Sequence, residues 1–350
     1  MLRFALFLTA AAIGAVLWTL YSFNHFSRVE NDFSGVCAPV SGVPGPEDIH
    51  IDHAAGRAFV SSLDRRALTR GERVRGAIYS VNLSDPLDAS GWVDRTRGAP
   101  EAFQPAGLYY YRDATHRRLF AVNAANKSIE VFDVAADGDL THLETLAERR
   151  LTAPNDIVAV GPRAFYVTNG GETDRDSLMG RFEYWRRAAA GGVLYFNGTA
   201  WRSAANGLRF ADGVNVNADA TRLYVAETAG KAVKEFVRDP DSGALTYLRE
   251  TPLSFAPNNI SVDVDGALWV AGAPKPLAVA AHRRIEDRTA PSAASRLRLA
   301  GEGAPATETE IEPVFVDRGE TISGATIAAR FRDTLVIGAP MENKFLLCSL

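Results

Sequence analysis

Acidic and amide side chains recur in short loops of this sequence, and each loop is followed by alternating apolar residues. The first loop holds Glu47 and Asp48, directly after a proline. Later loops hold Asn155 with Asp156, Asp212 with Gly213, and Asn258 with Asn259. Carboxylate and amide oxygens are the ligands that hard cations such as Ca²⁺ take in proteins. The loops could form a cation site if the fold brings them together.

A repeat of this loop suggests such a fold. Similar loops at 105–108 and 323–327 extend the series, and successive loops are 47 to 65 residues apart. A hairpin-like run follows most of them, as at 56–60 and 220–225. A period of about 50 residues is typical of a propeller or a solenoid. We therefore predict an all-β, six-bladed β-propeller over residues 37–350, whose first loops converge on one end of a central channel.

At that end of the channel we predict a first calcium site. Glu47 and Asp212 supply two carboxylates, which balance one divalent ion, and Asn155, Asn258 and Asn259 add amide oxygens. No cysteine or suitably placed histidine accompanies them, which argues against zinc. Asn and Asp also form hydrogen bonds within turns, and this alternative would suffice for any single loop. Their recurrence at one phase of the repeat favours the cation.

A second, deeper ion is predicted between Asp48 and Asp156, each of which neighbours a ligand of the first site in sequence. The carbonyl of Leu108 would lie nearby. Two buried aspartates without a cation would repel each other at a considerable cost in free energy. This ion would be structural, so the sequence predicts two calcium ions.

The first 23 residues differ in kind from the rest. Arg3 precedes a run without charged residues from Phe4 to Phe23, as in an export signal. The run is long enough to span a bilayer, and we predict an uncleaved signal anchor with Arg3 on the cytoplasmic side. A cleaved signal peptide is the alternative. Residues 24–36 would link this segment to an exported propeller, which is either membrane-anchored on the periplasmic or extracellular side, or secreted.

The two cysteines stand near opposite ends of the predicted propeller, at Cys37 and Cys348. An exported chain meets an oxidising compartment, in which such a pair is a candidate disulfide. The first and last strands of a propeller commonly share a blade, so this bond would close the ring. Two unrelated buried thiols are the alternative.

Composition restricts the partners of the chain. The formal net charge is -4, with 38 Lys and Arg against 42 Asp and Glu, so no basic field is available for a nucleic acid. The hydrophobic share of 47% is that of a globular protein.

Three segments depart from the repeat. Residues 172–191 mix apolar and charged side chains and end in glycine, which predicts an inserted helix of about three to four turns. This helix would lie over the channel mouth as a lid, or pack on a blade as an ordinary surface helix. Residues 63–76 are predicted to form an exposed hairpin or loop with Arg65 and Arg66 in solvent. Residues 280–310 are predicted to form a loop excursion of the fifth blade, without assigned chemistry.

These motifs, in this order, resemble those of the serum paraoxonase/arylesterase family of six-bladed propellers. The matching stretches lie at 46–48, 155–157, 210–215 and 258–263, together with Cys37 and Cys348. The resemblance implies a catalytic Ca²⁺ that polarises a lactone or ester carbonyl, a structural Ca²⁺ below it, and hydrolysis of lactones and aryl esters. A retained N-terminal signal is also a trait of this family.

Two departures from the family pattern bear on the mechanism. The family usually has Asn in place of Asp212 and Asp-Asn in place of Asn258 and Asn259, so a carboxylate has moved to another loop while their number is unchanged. The two histidines usually proposed as a base and its helper align with Ala106 and Ala124. Water would then be activated by the metal or by a ligand carboxylate. We take Asp212 as this base, because an Asp here is also a site residue in the related gluconolactonase and strictosidine-synthase-like propellers.

We therefore predict an exported, calcium-dependent hydrolase of lactones or aryl esters, with Glu47 and Asp212 as catalytic carboxylates. Its partners would be a small-molecule substrate and, through the N-terminal segment, a membrane. The rival hypothesis is a non-catalytic propeller that keeps calcium for stability and binds a ligand or partner at the channel mouth, and the loss of both histidines favours it. The histidines that are present are predicted to be solvated and not catalytic: His25, His50, His53, His116, His142 and His282.

Overall fold

Twenty-four β-strands form six four-stranded antiparallel sheets in this computed structural model, which describes residues 2–84, 93–96, 98–175, 177–301 and 303–350. Consecutive strands are hydrogen-bonded neighbours within each sheet, except where the ring closes. The sheets are blades around a central channel, and the first strand of each blade contacts the first strand of the next. The structure confirms the predicted six-bladed β-propeller.

The first three blades follow the chain in order. Blade one contains β2 (Pro46–Asp52), β3 (Arg57–Ser62), β4 (Ala77–Asn82) and β5 (Val93–Asp94). Blade two contains β6 (Pro105–Arg112), β7 (Arg117–Asn123), β8 (Ser128–Val134) and β9 (Leu140–Ala147). Blade three contains β10 (Pro154–Ala159), β11 (Phe165–Asn169), β12 (Gly191–Phe196) and β13 (Trp201–Leu208).

The last three blades complete the ring. Blade four contains β14 (Ala211–Val216), β15 (Arg222–Glu227), β16 (Ala232–Arg238) and β17 (Leu245–Pro252). Blade five contains β18 (Ala256–Val262), β19 (Leu268–Ala273), β20 (Ser292–Arg298) and β21 (Glu310–Asp317). Blade six contains β22 (Ile327–Phe331), β23 (Thr334–Gly338), β24 (Lys344–Ser349) and, from the other end of the propeller, β1 (Cys37–Ser41).

The pairing of β1 with β24 closes the ring, because it places the start and the end of the propeller in one sheet. Cys37 and Cys348 face each other in this register and are joined by a disulfide. The predicted bond and its place in the closure are therefore confirmed. The segment before β1 also contacts blade five, since Asp32 forms an isolated bridge with Val316.

The hydrophobic core lies between neighbouring blades, because the strands carry apolar side chains on both faces of each sheet. In β7, for example, the last five residues are all buried. Phe120 and Phe165 pack between blades two and three with ring centroids 5.5 Å apart. Burial of such side chains contributes about 1.5–3 kcal/mol each. The interfaces therefore hold the blades, and the first strands that line the channel, in fixed positions.

Four α-helices lie outside the blades in the described ranges: α1 (Leu2–Ser22), α2 (Arg65–Thr69), α3 (Leu178–Trp185) and α4 (Pro276–Arg284). α1 precedes the propeller and exposes many apolar side chains. The buried ring of Phe23 joins its end to α3, where it packs on Tyr184 and Trp185 with centroid distances of 5.6 and 5.2 Å. Among the residues that the structure describes, no helix is long and apolar enough to cross a membrane.

The three irregular segments differ from the prediction. The helix predicted over 172–191 is shorter, because α3 has eight residues and its N-cap is Ser177. The segment 63–76 is not simply an exposed loop, since it contains α2 and the side chain of Arg65 is only 18% exposed. Residues 280–310 contain the end of α4 and all of β20. Helices this short depend on tertiary contacts rather than on a periodic sequence pattern.

The disulfide should stabilise the fold through the long segment that it closes. Its cysteines are 311 residues apart, and constraining a loop of this size in the unfolded chain contributes about 3–5 kcal/mol. We expect the Cys37→Ser/Cys348→Ser protein to unfold at a lower urea concentration than the parent. The reduced and alkylated parent, which also lacks the bond, is the matched control. Mass spectrometry of an unreduced digest checks the bond. An unchanged urea midpoint would contradict its role.

Candidate active site

The predicted site residues lie on the first strands of the blades, near the start of each strand. In five of these strands two residues oppose one residue of the second strand, which is a β-bulge. The bulged pairs are 47–48, 106–107, 155–156, 212–213 and 258–259. A bulge interrupts the alternation of a strand and re-aims its side chains. The bulges therefore explain how adjacent polar residues lie together at the channel.

Glycines allow the bulges of neighbouring blades to approach closely. Gly107 of blade two lies against Asp156 and the carbonyl of Asn155, and Gly213 of blade four lies against the backbone of residues 258–259. A β-carbon at either glycine would overlap with these atoms. These two glycines are thus required by packing at the channel.

Contacts between blades bring the first set of predicted ligands together. Asn259 Nδ2 donates to the Glu47 carbonyl over 3.4 Å, so blades five and one meet there. The Asn155 side chain is directed at Asp212, and the Thr228 hydroxyl donates to Asp212 Oδ2 over 2.7 Å. Glu47, Asn155, Asp212 and Asn259 are each at most 7% exposed. The fold therefore assembles these residues at one buried place.

Four oxygens of the predicted set are buried and have no hydrogen-bond partner in the described ranges: Glu47 Oε2, Asp212 Oδ1, Asn258 Oδ1 and Asn259 Oδ1. Buried polar atoms in native proteins are paired with few exceptions. Carboxylate and amide oxygens suit Ca²⁺, so the residues present fit a calcium ion. No group of three or more His, Cys, Asp or Glu among the described residues is placed to hold a metal. A site here would therefore depend on amide oxygens beside its two carboxylates.

Burial raises the pKa of the Glu47 and Asp212 carboxyl groups above their ordinary values. At Glu47 the Arg65 guanidinium opposes this effect, while the charge of Asp212 adds to it. Arg65 Nη2 is 3.7 Å from Glu47 Oε2, which is an ion-pair distance but too long for a hydrogen bond. At Asp212 the effect of burial is opposed by Arg175 and by the Thr228 hydroxyl. Protons would therefore compete with a cation for these two carboxylates at a higher pH than they would for exposed carboxylates.

Asp48 and Asp156 occupy a different environment, in which each carboxylate ties two blades together. Asp48 accepts hydrogen bonds from the N–H of Leu108, 2.8 Å away in blade two, and from that of the following residue. Asp156 accepts hydrogen bonds from the N–H of Val214, 2.7 Å away in blade four, and from the N–H of the residue that follows it. Burial and the charge of Glu47 raise the pKa of Asp48 to about 7. Burial and the charge of Asp48 raise that of Asp156 well above its ordinary value.

Leu108 thus reaches Asp48 with its backbone amide. A structural ion that binds Asp48, Asp156 and the Leu108 carbonyl stays a prediction.

α3 packs beside the start of blade four, near Asp212. Its Tyr184 packs edge-on against Phe210, two residues before Asp212, with ring centroids 5.0 Å apart. Burial raises the pKa of Tyr184 to about 12, and the nearby Asp212 acts in the same direction. Leu178 and Phe182 of the same helix are exposed. The helix therefore places a buried aromatic side chain next to the site and presents apolar side chains to solvent.

No histidine contacts the four unpartnered oxygens among the described residues. The prediction that all histidines are solvated is wrong for two of them. His282 is 5% exposed and lies on α4. His50 packs its ring against Tyr109 at 4.5 Å, and burial lowers its pKa to about 4. Both are placed by packing rather than by catalysis.

Three arginines without a predicted role lie close enough to act on the two carboxylates: Arg65, Arg175 and Arg283. The prediction that Arg65 is solvated is wrong, because α2 folds back onto the start of blade one. These arginines share no motif or spacing in the sequence. The one available signal is that each lies in an irregular segment that interrupts the repeat.

The structure is a closed six-bladed β-propeller with buried carboxylate and amide oxygens at one end of its channel. The arylesterase family model matches residues 66–350, and the chain belongs to the arylesterase family. Human serum paraoxonase/arylesterase 1 is 28% identical over 324 residues, which cover 90% of this chain and 88% of that protein. Human serum paraoxonase/lactonase 3 is 27% identical over 319 residues, which cover 87% and 86%. The resemblance predicted from the motifs is confirmed, and it supports a propeller hydrolase.

Solved structures with low sequence identity share the fold. A luciferin-regenerating enzyme superposes with a TM-score of 0.56 at 11% identity and covers 91% of this chain and 96% of its own. A gluconolactonase from Xanthomonas campestris superposes with a TM-score of 0.56 at 16% identity and covers 90% of both chains. These similarities agree with the propeller architecture.

The raised pKa of Asp48 predicts a pH dependence of stability in metal-free protein. Between its ordinary pKa of 3.8 and the folded value of about 7, the folded chain binds more protons at this group than the unfolded chain. The contribution of Asp48 to the free energy of unfolding therefore falls as pH rises through this interval. His50 and His282, whose pKa values are lowered, act in the opposite direction.

Comparison with Asp48→Asn separates these effects, because both proteins contain the same histidines. In EDTA, the urea midpoint of the parent minus that of Asp48→Asn is the quantity to compare. We expect this difference to be smaller near pH 7 than near pH 5. A difference between the two proteins that is the same at both pH values would contradict the raised pKa.

Proposed function

We propose that the protein is a calcium-dependent hydrolase of lactones and aryl esters. The observation that carries the proposal is the set of four buried, unpartnered oxygens from Glu47, Asp212, Asn258 and Asn259 in a propeller of the arylesterase family. Asn155, directed at Asp212, would complete the set. Two relatives are named for these activities, a human paraoxonase/arylesterase and a human paraoxonase/lactonase. Calcium held there would supply Lewis-acid polarisation of the ester carbonyl.

Asp212 is the residue that we assign as general base. The Thr228 hydroxyl donates to its Oδ2 over 2.7 Å, which fixes the carboxylate and leaves the unpartnered Oδ1 for the cation. Burial raises the pKa of Asp212, so its carboxylate is a stronger base than that of an exposed aspartate. The lone pair of Oδ2 that Thr228 does not use would accept a proton from the attacking water. Glu47 would act as the second carboxylate that orients the ester group.

The assignment of a carboxylate base follows from what stands in place of the family histidines. Ala106 is on the bulge of blade two and 8% exposed, and Ala124 directly follows β7. Neither side chain can transfer a proton. Asp212 and Glu47 are the predicted site carboxylates that carry an unpartnered buried oxygen, and Glu183 of α3 carries another.

The rival proposal is a non-catalytic propeller in which calcium stabilises the ring and the channel end binds a ligand or partner. The absence of histidine from the site favours this proposal. Both proposals include a bound cation, so calcium binding does not separate them. Hydrolytic activity does.

Hydrolysis of a panel of lactones and aryl esters tests the proposed activity. We expect the parent to lose activity in EDTA and to regain it with calcium, because the unpartnered oxygens would hold the cation that polarises the ester carbonyl. Glu47→Gln should lower kcat/KM by about tenfold or more, since it removes one of two ligand charges. Glu72→Gln is the control, as this exposed carboxylate pairs with Arg70 away from the site. Activity that persists in EDTA would contradict calcium dependence, and calcium binding without turnover would favour the rival.

Exchange of the carboxylate between loops tests which residue supplies the second ligand charge. Asp212→Asn leaves Glu47 as the remaining carboxylate, and calcium affinity should fall by about tenfold or more. Asp212→Asn combined with Asn258→Asp restores the number of charges and should recover calcium binding, even if activity stays low. Calorimetric titration with calcium decides this. A single variant that binds calcium as the parent does would show that Asp212 is not a ligand.

Location and organisation belong to the same proposal. We propose that residues 1–23 direct export as a signal anchor or signal peptide, that residues 24–36 form a linker, and that the exposed apolar side chains of α1 contact a membrane. The disulfide supports export, because such bonds persist in oxidising compartments.

A further inference from the structure

α2 and α4 come together beside the candidate active site. Arg66 Nη1 in α2 donates to the carbonyl of His282 in α4 over 2.5 Å, and the His282 side chain is buried. Arg65 directly precedes Arg66 in the sequence, and Arg283 directly follows His282. The contact between the two helices therefore holds two further arginines near each other at this end of the channel.

Arg65 is fixed across the start of two blades. Its Nη1 donates to the carbonyl of Gly45 over 3.1 Å, and its Nη2 donates to that of Pro105 over 3.3 Å. From this position Nη2 lies 3.7 Å from Glu47 Oε2. Because backbone carbonyls position the guanidinium, its charge stays beside the site whether or not Glu47 is engaged elsewhere.

Arg175 and Arg283 approach the same carboxylates from other elements. Arg175 lies over the ring of Phe210 at 5.1 Å, two residues before Asp212. Arg283 Nε is buried and has no hydrogen-bond partner in the described ranges. Repulsion by Arg175 and burial lower the pKa of Arg283 to about 10, although Asp212 and Glu47 attract its charge. The guanidinium groups are therefore close to one another as well as to the carboxylates.

Three guanidinium groups thus gather beside Glu47 and Asp212, and Arg65 and Arg175 repel Arg283. A buried N–H donor without an acceptor is costly, and that of Arg283 would gain an acceptor from an added anion. Arginine pairs its N–H groups with carboxylate and phosphate oxygens in a favourable geometry. Such an anion would be adjacent to Glu47 and Asp212.

We propose that Arg65, Arg175 and Arg283 recognise an anionic group on the substrate, which is therefore a lactone or ester that bears a carboxylate or a phosphate. The inference rests on the proposed hydrolase function, because the anion would orient the reacting carbonyl toward Glu47 and Asp212. The competing explanation is that the arginines serve only as counter-ions of these two carboxylates.

Two matched lactones test the proposal. γ-Carboxy-γ-butyrolactone carries a carboxylate where γ-valerolactone carries a methyl group. We expect the parent to hydrolyse the carboxylated lactone with the higher kcat/KM. Arg283→Gln should lower this value by about tenfold or more, and that for γ-valerolactone by about twofold at most. Arg175→Gln should act in the same direction and guards against one variant failing to fold.

Arg284→Gln is the matched control, because it removes the same charge from an exposed neighbour on α4. It should leave the ratio of the two kcat/KM values unchanged. Equal losses for both lactones in Arg283→Gln would show that the arginine is only a counter-ion and would overturn the proposal. A parent that prefers γ-valerolactone would overturn it as well, while the hydrolase function would stand.

A binding measurement distinguishes failure of this inference from failure of the hydrolase function. If neither lactone is hydrolysed, the parent and Arg283→Gln are titrated by calorimetry with glutarate and with inorganic phosphate, in calcium and in EDTA. Binding that Arg283→Gln abolishes and Arg284→Gln retains supports anion recognition, and the tighter of the two ligands identifies the anion. Absence of binding of both anions to the parent overturns it.

Discussion

Closure of the ring is the constraint on which the candidate site depends. β1 and β24 pair in one blade and are joined by the disulfide, so the first strands converge around a channel of fixed size. Glu47, at the start of blade one, has its backbone partners in the blades before it around the ring. Its carbonyl accepts a hydrogen bond from the Thr326 hydroxyl over 2.6 Å, and Asn259 contacts it from blade five. An open ring would separate Glu47 from both.

The buried oxygens at the channel end bear on stability as well as on the proposed function. Without a bound cation or water, each of the four unpartnered acceptors would cost on the order of 1–3 kcal/mol, which the packed interfaces between blades would have to offset. A cation that binds only the folded chain would stabilise it through mass action. The adjacent arginines are arranged differently, because Arg65 is held by backbone carbonyls while Arg283 Nε is unpaired. Unpartnered acceptors and an unpartnered donor thus lie in two neighbouring groups, which we propose bind a cation and an anionic group.

The period of the repeat, the polar pairs in its loops and the two cysteines near the ends of the propeller were sufficient to predict the propeller, the ring closure and the polar residues that meet at the channel end. They did not show why pairs such as 47–48 lie together, because a β-bulge is defined by its partner strand. They also gave no sign that Asp48 binds the backbone amide of Leu108, since every residue except proline has such a donor. Arg65 and Arg283 were missed for another reason. Their short helices depend on the contact between Arg66 and His282, which no local pattern encodes.

A crystal structure of the protein grown with calcium tests the cation site most directly. We predict anomalous density for one ion about 2.3–2.6 Å from the side-chain oxygens of Glu47, Asn155, Asp212, Asn258 and Asn259, which is the distance range of calcium ligands. Arg65 and Arg283 should then lie beside the ion and not between the two carboxylates. Absence of an ion at saturating calcium, with either guanidinium bound directly to both Glu47 and Asp212, would contradict the site.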